Sequence, residues 1–195
     1  MNLPNKISLA RIALIPVFIA FYYLTMIPHN YLYATIVFAV AAFTDFLDGY
    51  IARKYNLVTD LGKFLDPIAD KVLVLTAMIL MLTSVSIGPL GGGILPAVSG
   101  GVGISIILAR ELIVSSFRMV AASKKVVIAA DKLGKIKTVS QDIALVLLLF
   151  SKAFEGSVFV IIWWIGYALF IFSVLMTVIS GINYIWKNRV VFKED

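Results

Sequence analysis

Residues 31–84 read YLYATIVFAVAAFTDFLDGYIARKYNLVTDLGKFLDPIADKVLVLTAMILMLTS. Two apolar runs, Tyr31 to Arg53 and Leu61 to Ser84, flank a short polar connector. Each is close to the roughly 20 residues a helix needs to cross the hydrocarbon of a bilayer. Asp45 and Asp48 stand i,i+3 near the end of the first run, and Asp66 and Asp70 stand i,i+4 near the start of the second. Residues so spaced share one helix face. The connector is too short to let the helices separate, which predicts an antiparallel helical hairpin with the two acidic faces opposed.

The same yardstick divides the rest of the chain. Ile7 to Met26, Gly100 to Ala122, Leu133 to Phe150 and Ser157 to Trp186 are four further spans, so the expected fold is all-α, an integral membrane bundle of six transmembrane helices in a single domain, residues 1–195. Composition agrees: 61% of residues are hydrophobic and 14% charged, with a mean hydropathy of +1.00, outside the range of soluble domains. The first apolar run is too long for a cleavable signal and reads as a retained span. With spans that alternate, Lys6, Arg53, Lys54, Lys63, Lys124, Lys125, Lys132, Lys135, Lys187, Arg189 and Lys193 fall on one side, and Lys152, offset by Glu155, falls on the other. Both termini are therefore expected to be cytoplasmic, and Ser86 to Ser99, uncharged and rich in Gly and Pro, to be an external loop. Tyr22, Tyr23, Tyr31, Tyr33, Trp163 and Trp164 map near the outer interface, and Tyr50, Tyr55 and Trp186 near the inner one. Positive-inside sorting and attraction to anionic membrane lipid account for the net charge of +6, which leaves nothing for a nucleic-acid partner to explain. The chain has no cysteine, hence no disulfide framework or thiolate metal site. The single histidine, His29, reads as a loop residue.

Carboxylates beside a membrane span are costly and need a compensating partner. Two such charges about 6 Å apart repel by about 2.8 kcal/mol at an effective dielectric of 20. An all-oxygen set of hard ligands suits Mg2+ or Mn2+, and four aspartates have room for two bridged cations, a device suited to in-line displacement at phosphorus. Gly49 follows Asp48, Gly62 precedes Asp66, and Ala52 continues the small surface one turn beyond Asp48. Such a surface admits a bulky group against the backbone, while the Arg53 guanidinium suits a pair of phosphate oxygens. Together these positions describe a pocket for a nucleotide diphosphate.

Asp45, Asp48, Gly49, Ala52, Arg53, Gly62, Asp66 and Asp70 fill every specified position of D-x2-D-G-x2-A-R-x8-G-x3-D-x3-D. The chain thereby resembles the CDP-alcohol phosphatidyltransferase family, and an eight-position match is far more specific than a lone glycine motif. The resemblance implies a six-helix core, two divalent cations held by Asp45, Asp48, Asp66 and Asp70, and Asp70 as general base. It also implies nucleotide contacts from Asn5, Asp48, Gly49, Ala52, Arg53 and Gly62. It further implies a homodimer in a bacterial cytoplasmic membrane, with the active site facing the cytoplasm and CDP-diacylglycerol as the lipid donor. A ligated aspartate is a weaker base than a free one.

The acceptor alcohol is read elsewhere. Arg110, Glu111 and Arg118 interrupt the fourth span; on a helix the two arginines stand about 80° apart in azimuth and about 12 Å apart along the axis, so they can converge on one anion. The alternatives are snorkelling for Arg118 and an ion pair for Arg110. Lys135 and Lys137 lie on the same side of the membrane. An acceptor carrying its own phosphate fits these cations. A-R-E followed by Arg118, G-K-x-K-T at 134–138, and N-x-x-S-x-x-R from Asn5 to Arg11 are similar to the branch of the family whose acceptor is glycerol 3-phosphate. Inositol phosphate, serine or phosphatidylglycerol remain alternative acceptors. An ion-coupled transporter is the rival from another class, although transport sites lie near the bilayer midplane and these aspartates gather at one edge.

Overall fold

A computed structural model describes residues 2–55, 59–83, 94–124 and 132–189. Among the described residues the chain is entirely helical: α1 (Leu3–Tyr23), α2 (Asn30–Lys54), α3 (Asp60–Thr83), α4 (Ile94–Ser123), α5 (Lys132–Ser151) and α6 (Gly156–Lys187). Each corresponds to one expected span, with the largest shifts at the starts of α1 and α4. The second half of the expected external loop is helix, since α4 already runs through residues 94–99. Pro96 is compatible with this because a first-turn residue has no intrahelical N–H bond to lose. Residues 84–93, the rest of that loop, lie outside the described residues.

Three helices, α1, α4 and α6, contain segments long and apolar enough to cross a membrane, Asn5–Tyr23, Val98–Ser123 and Gly156–Lys187, which identifies a membrane protein. The other three carry more charge, and among the described residues Asp45 of α2, Asp70 of α3 and Lys137 of α5 belong to the polar site described below.

Two helix pairs dominate the packing, α1 with α2 and α5 with α6. Between them, α3 leans more on α1 than on α2, so the legs of the expected α2–α3 hairpin touch but do not form the closest pair. The α1–α2 turn is tied by Asn30, whose side-chain amide donates to the carbonyls of Phe21 (3.2 Å) and Tyr22 (3.3 Å). It thus serves two carbonyls that the end of α1 leaves without an intrahelical donor. His29 sits in this turn, as expected, with a left-handed φ of 59°. Phe18 and Phe38 meet at 5.7 Å in the core, which also buries Leu73, Met78, Ile107, Leu145 and Leu149.

Small residues set the distance between α6 and its neighbours. A Cβ on Gly103 of α4 would lie 2.9 Å from Phe170, and one on Gly166 of α6 would lie 2.9 Å from Leu148 Cγ and 3.1 Å from the Leu148 backbone nitrogen. Apolar side chains gain nothing by leaving lipid for each other, so close backbone approach and van der Waals contact hold such helices together. Gly101, by contrast, faces open space.

At the end of the bundle formed by the α1–α2 and α5–α6 turns, Lys152 Nζ donates to the Tyr22 hydroxyl at 2.7 Å and stands over the rings of Tyr22 and Tyr31. The Tyr22 hydroxyl in turn donates to the Leu80 carbonyl at 2.6 Å, so one lysine links three helices. Burial in this aromatic setting pushes the Lys152 amine down to about 8.

Two predictions follow from this packing. Gly166→Val forces α5 and α6 apart and should destabilise the protein by about 1–3 kcal/mol, lowering its thermal midpoint in detergent, whereas Gly101→Ala should shift stability by less than about 0.5 kcal/mol. Because the unfolded chain retains the Lys152 proton above pH 8 while the folded chain releases it, stability should rise between pH 8 and about 10.5. Midpoints measured at pH 7.5 and 9.5 should therefore differ more for the wild type than for Lys152→Met.

Candidate active site

Asp45 accepts a hydrogen bond from Arg11 Nη1 of α1 at 2.5 Å. The arginine is fully buried and the carboxylate is partly open. A buried guanidinium is tolerable only beside an anion, so this pair fixes α1 against the acidic end of α2. The N-terminus of α1 meets the start of α3 in a second contact. Thr59 Oγ1 accepts from the Gly62 backbone N–H at 3.1 Å, the geometry of a helix N-cap. The same hydroxyl donates to Asn5 Oδ1 at 2.9 Å. Asn5 crowds Gly62 so closely that a Cβ there would lie 2.8 Å from its Oδ1. Two of the expected nucleotide contacts, Asn5 and Gly62, are thus neighbours, joined by a threonine.

Asp70 opens into a cavity between α3, α4 and α5 that holds about 90 Å3. Its polar end is formed by Asp70 and Lys71 of α3, Glu111 of α4, and Lys137, Gln141 and Asp142 of α5. The rest of its lining is mostly apolar, Val74, Leu75 and Met78 of α3 and Ile107, Leu108 and Leu112 of α4. Asp70 also lies within electrostatic reach of Asp45 and Arg11, which connects this cavity to the α1–α2 ion pair.

Glu111 is the hub of the polar end. Its Oε1 accepts from Arg110 Nη1 at 2.9 Å and from Lys137 Nζ at 2.8 Å, and its Oε2 lies 4.0 Å from Lys71 Nζ. Lys71 also donates to Ser115. Arg110 reaches α6 as well, with Nη2 donating to Ser180 Oγ at 3.3 Å. Gly181 provides the room, since a Cβ there would lie 3.1 Å from Arg110 Cγ.

The profile of the CDP-alcohol phosphatidyltransferase family matches residues 1–179. The chain belongs to that family. Among its relatives, a Bacillus subtilis protein named CDP-diacylglycerol--glycerol-3-phosphate 3-phosphatidyltransferase is 42% identical over 96% of this chain and 95% of its own length. Proteins of the same name from Rickettsia bellii and Shigella flexneri are 39% and 36% identical, covering 94% and 96% of this chain and 93% and 95% of their own lengths.

In this CDP-alcohol phosphatidyltransferase, the side chains of Asp48, Gly49, Ala52, Arg53 and Asp66 lie outside the described residues, although their backbone belongs to α2 and α3. Among the described residues no group of three or more carboxylate, imidazole or thiolate side chains gathers around one point. The two described motif carboxylates, Asp45 and Asp70, are hard oxygen donors in electrostatic reach of each other, a donor set that fits Mg2+ or Mn2+.

The four expected acceptor cations do not form one cluster. Lys137, only 3% exposed, lines the cavity with Asp70. Arg110 joins it through Glu111, which realises the ion pair that was the alternative reading of that arginine. Arg118 instead donates to the Tyr184 hydroxyl at 3.1 Å and stacks over that ring, and Lys135 is exposed. Arg110 and Arg118 thus have different neighbours, Ser180 and Glu111 in one case and Tyr184 in the other.

Sequence reasoning gave no role to Thr59, Glu111, Gln141 or Asp142. Thr59 carried a readable signal, a threonine three residues before Gly62 at a helix start. Gln141 and Asp142 carried none, because only the crossing of α5 with α3 brings them to Asp70.

Removing the hub should expose its importance. Glu111→Ala leaves Lys137 buried without its anion and should cost about 2–4 kcal/mol, less than a wholly buried pair because Glu111 is partly open. Glu111→Gln should cost less, and chemical denaturation of the two variants in detergent gives the comparison.

Proposed function

We propose that this protein transfers the phosphatidyl group from CDP-diacylglycerol to glycerol 3-phosphate, giving phosphatidylglycerophosphate and CMP in phospholipid biosynthesis. The observation that carries this reading is the position of Asp70: the last carboxylate of the family motif opens into the cavity that also holds the buried Lys137. A base and a phosphate-binding cation thereby flank one space, as an acceptor that bears both a hydroxyl and a phosphate requires. Relatives of the same named activity cover nearly the whole chain, which supports the choice of glycerol 3-phosphate.

Asp45, Asp48, Asp66 and Asp70 would hold two divalent cations, Mg2+ or Mn2+, whose charge offsets that of the diphosphate and the leaving CMP. Asn5, Asp48, Gly49, Ala52, Arg53 and Gly62 bind the cytidine nucleotide. Asp70 accepts the proton of the acceptor hydroxyl, whose oxygen bonds to the β-phosphorus; the bond from that phosphorus to the bridging oxygen breaks, and CMP departs with the electron pair. Lys137 and Arg110 bind the acceptor phosphate from either side of Glu111, while Arg118 and Lys135 add positive field at the rim and draw anions inward. The cavity joins these polar groups to an apolar lining, an arrangement suited to a substrate with a charged head and hydrocarbon chains.

The same reading places all six helices across a bacterial cytoplasmic membrane, with both termini and the site on the cytoplasmic side. Residues 1–195 act as one domain, and the protein works as a homodimer.

CMP release by purified protein supplied with CDP-diacylglycerol and Mg2+ or Mn2+ tests the assignment. Glycerol 3-phosphate should support turnover, serine and inositol phosphate should not, and Asp70→Asn should lower the rate by about 100-fold or more. Release with serine but not with glycerol 3-phosphate overturns the reading.

A further inference from the structure

Most of the polar groups around the Asp70 cavity already have partners. Lys137 and Lys71 are engaged by Glu111 and Ser115, and Thr138 Oγ1 donates to the Gly134 carbonyl at 3.1 Å. Two oxygens differ. Gln141 Oε1 and Asp142 Oδ1 are both buried, and neither has a hydrogen-bond partner among the described residues. The residues are consecutive on α5, both line the cavity, and Gln141 is only 3% exposed.

An amide oxygen and a carboxylate oxygen only accept hydrogen bonds. Leaving both buried without a donor is costly, so the arrangement is complete only when a donor enters the cavity. Resting on the function proposed above, that donor has an evident source. Glycerol 3-phosphate carries two hydroxyls, of which one attacks phosphorus and loses its proton towards Asp70. The other keeps its proton and must be accommodated in the same cavity.

We infer that the acceptor hydroxyl that does not react donates its single proton to this pair of oxygens, shared between Gln141 Oε1 and Asp142 Oδ1 as a three-centre hydrogen bond, and that the pair so selects a phosphorylated polyol over a phosphorylated mono-alcohol. Both residues are specificity determinants of the transfer. Lys137 holds the phosphate, Asp70 faces the attacking hydroxyl, and the α5 pair reads the hydroxyl between them. The selectivity is steep because an analogue without that hydroxyl leaves the buried oxygens unpaired, the situation in which polar sites discriminate far better than apolar ones.

The test compares glycerol 3-phosphate with 3-hydroxypropyl phosphate, which keeps the phosphate and a primary hydroxyl and lacks the middle one. Wild-type protein should prefer glycerol 3-phosphate by about 100-fold or more in kcat/KM. In Gln141→Leu and in Asp142→Leu this preference should fall at least tenfold, with the loss concentrated on glycerol 3-phosphate, whereas Gln141→Glu and Asp142→Asn, which retain an acceptor oxygen, should recover most of it. A wild-type preference near unity overturns the inference, whether or not the variants fold. An unchanged preference in both folded leucine variants overturns it equally, and is the result expected if a water or a cation occupies these oxygens. Failure of the wild type to release CMP with glycerol 3-phosphate would instead remove the function on which the inference rests.

Discussion

A charge drawn into an apolar helical bundle is stable only beside its opposite, and the arrangement of this protein at its polar end follows from that constraint. Arg11 is fully buried on α1 and held by Asp45 of α2. Lys137 is nearly as buried on α5 and held by Glu111 of α4, which also engages Arg110 and approaches Lys71 of α3. Ion pairs thereby join α1 to α2 and, separately, α3 and α5 to α4 at this end, while the rest of the bundle is joined by apolar packing. At the opposite end stands the half-buried Lys152, stabilised by two tyrosine rings and a hydroxyl.

This division of labour sets a charged end against an apolar body. The apolar core around Phe18, Phe38, Met78 and Leu145 keeps the bundle closed, and the glycines at 103 and 166 let the helices approach closely enough to exclude lipid between them. Electrostatic interactions at the polar end then act in a medium far less screening than water. On the proposed function, a diphosphate, a phosphate and divalent cations meeting there would interact strongly with a few fixed side chains. Cations that are already paired, as Lys137 and Arg110 are with Glu111, are held in position before an anion arrives, so little reorganisation is needed when it does.

The helical architecture was legible because span length and hydrophobicity are properties of consecutive residues: every expected span has its helix, and only the starts of α1 and α4 lie several residues earlier than expected. The stretch from 94 to 99 was misread as loop because Gly and Pro are turn signals in water, while Pro in a first helical turn costs nothing. In the site, Asn5 and Gly62 were both singled out as nucleotide contacts without any indication that they touch, and it is the Thr59 cap that places one against the other. Arg118 looked equivalent to Arg110 in sequence, but Tyr184 engages one and Glu111 the other.

The sequence by itself determined the class of protein and the chemistry within reach, since the number of apolar spans and the eight spaced positions from Asp45 to Asp70 need no knowledge of which helices touch. Only the tertiary structure decided which charges are neighbours. Glu111 became a hub, and the Gln141 and Asp142 oxygens, without a partner among the described residues, came to line the cavity with Asp70, because α3, α4 and α5 meet there. Helical periodicity states which residues share a face of one helix; the partner across from that face is set by packing of side chains far apart in sequence, and no local pattern encodes it.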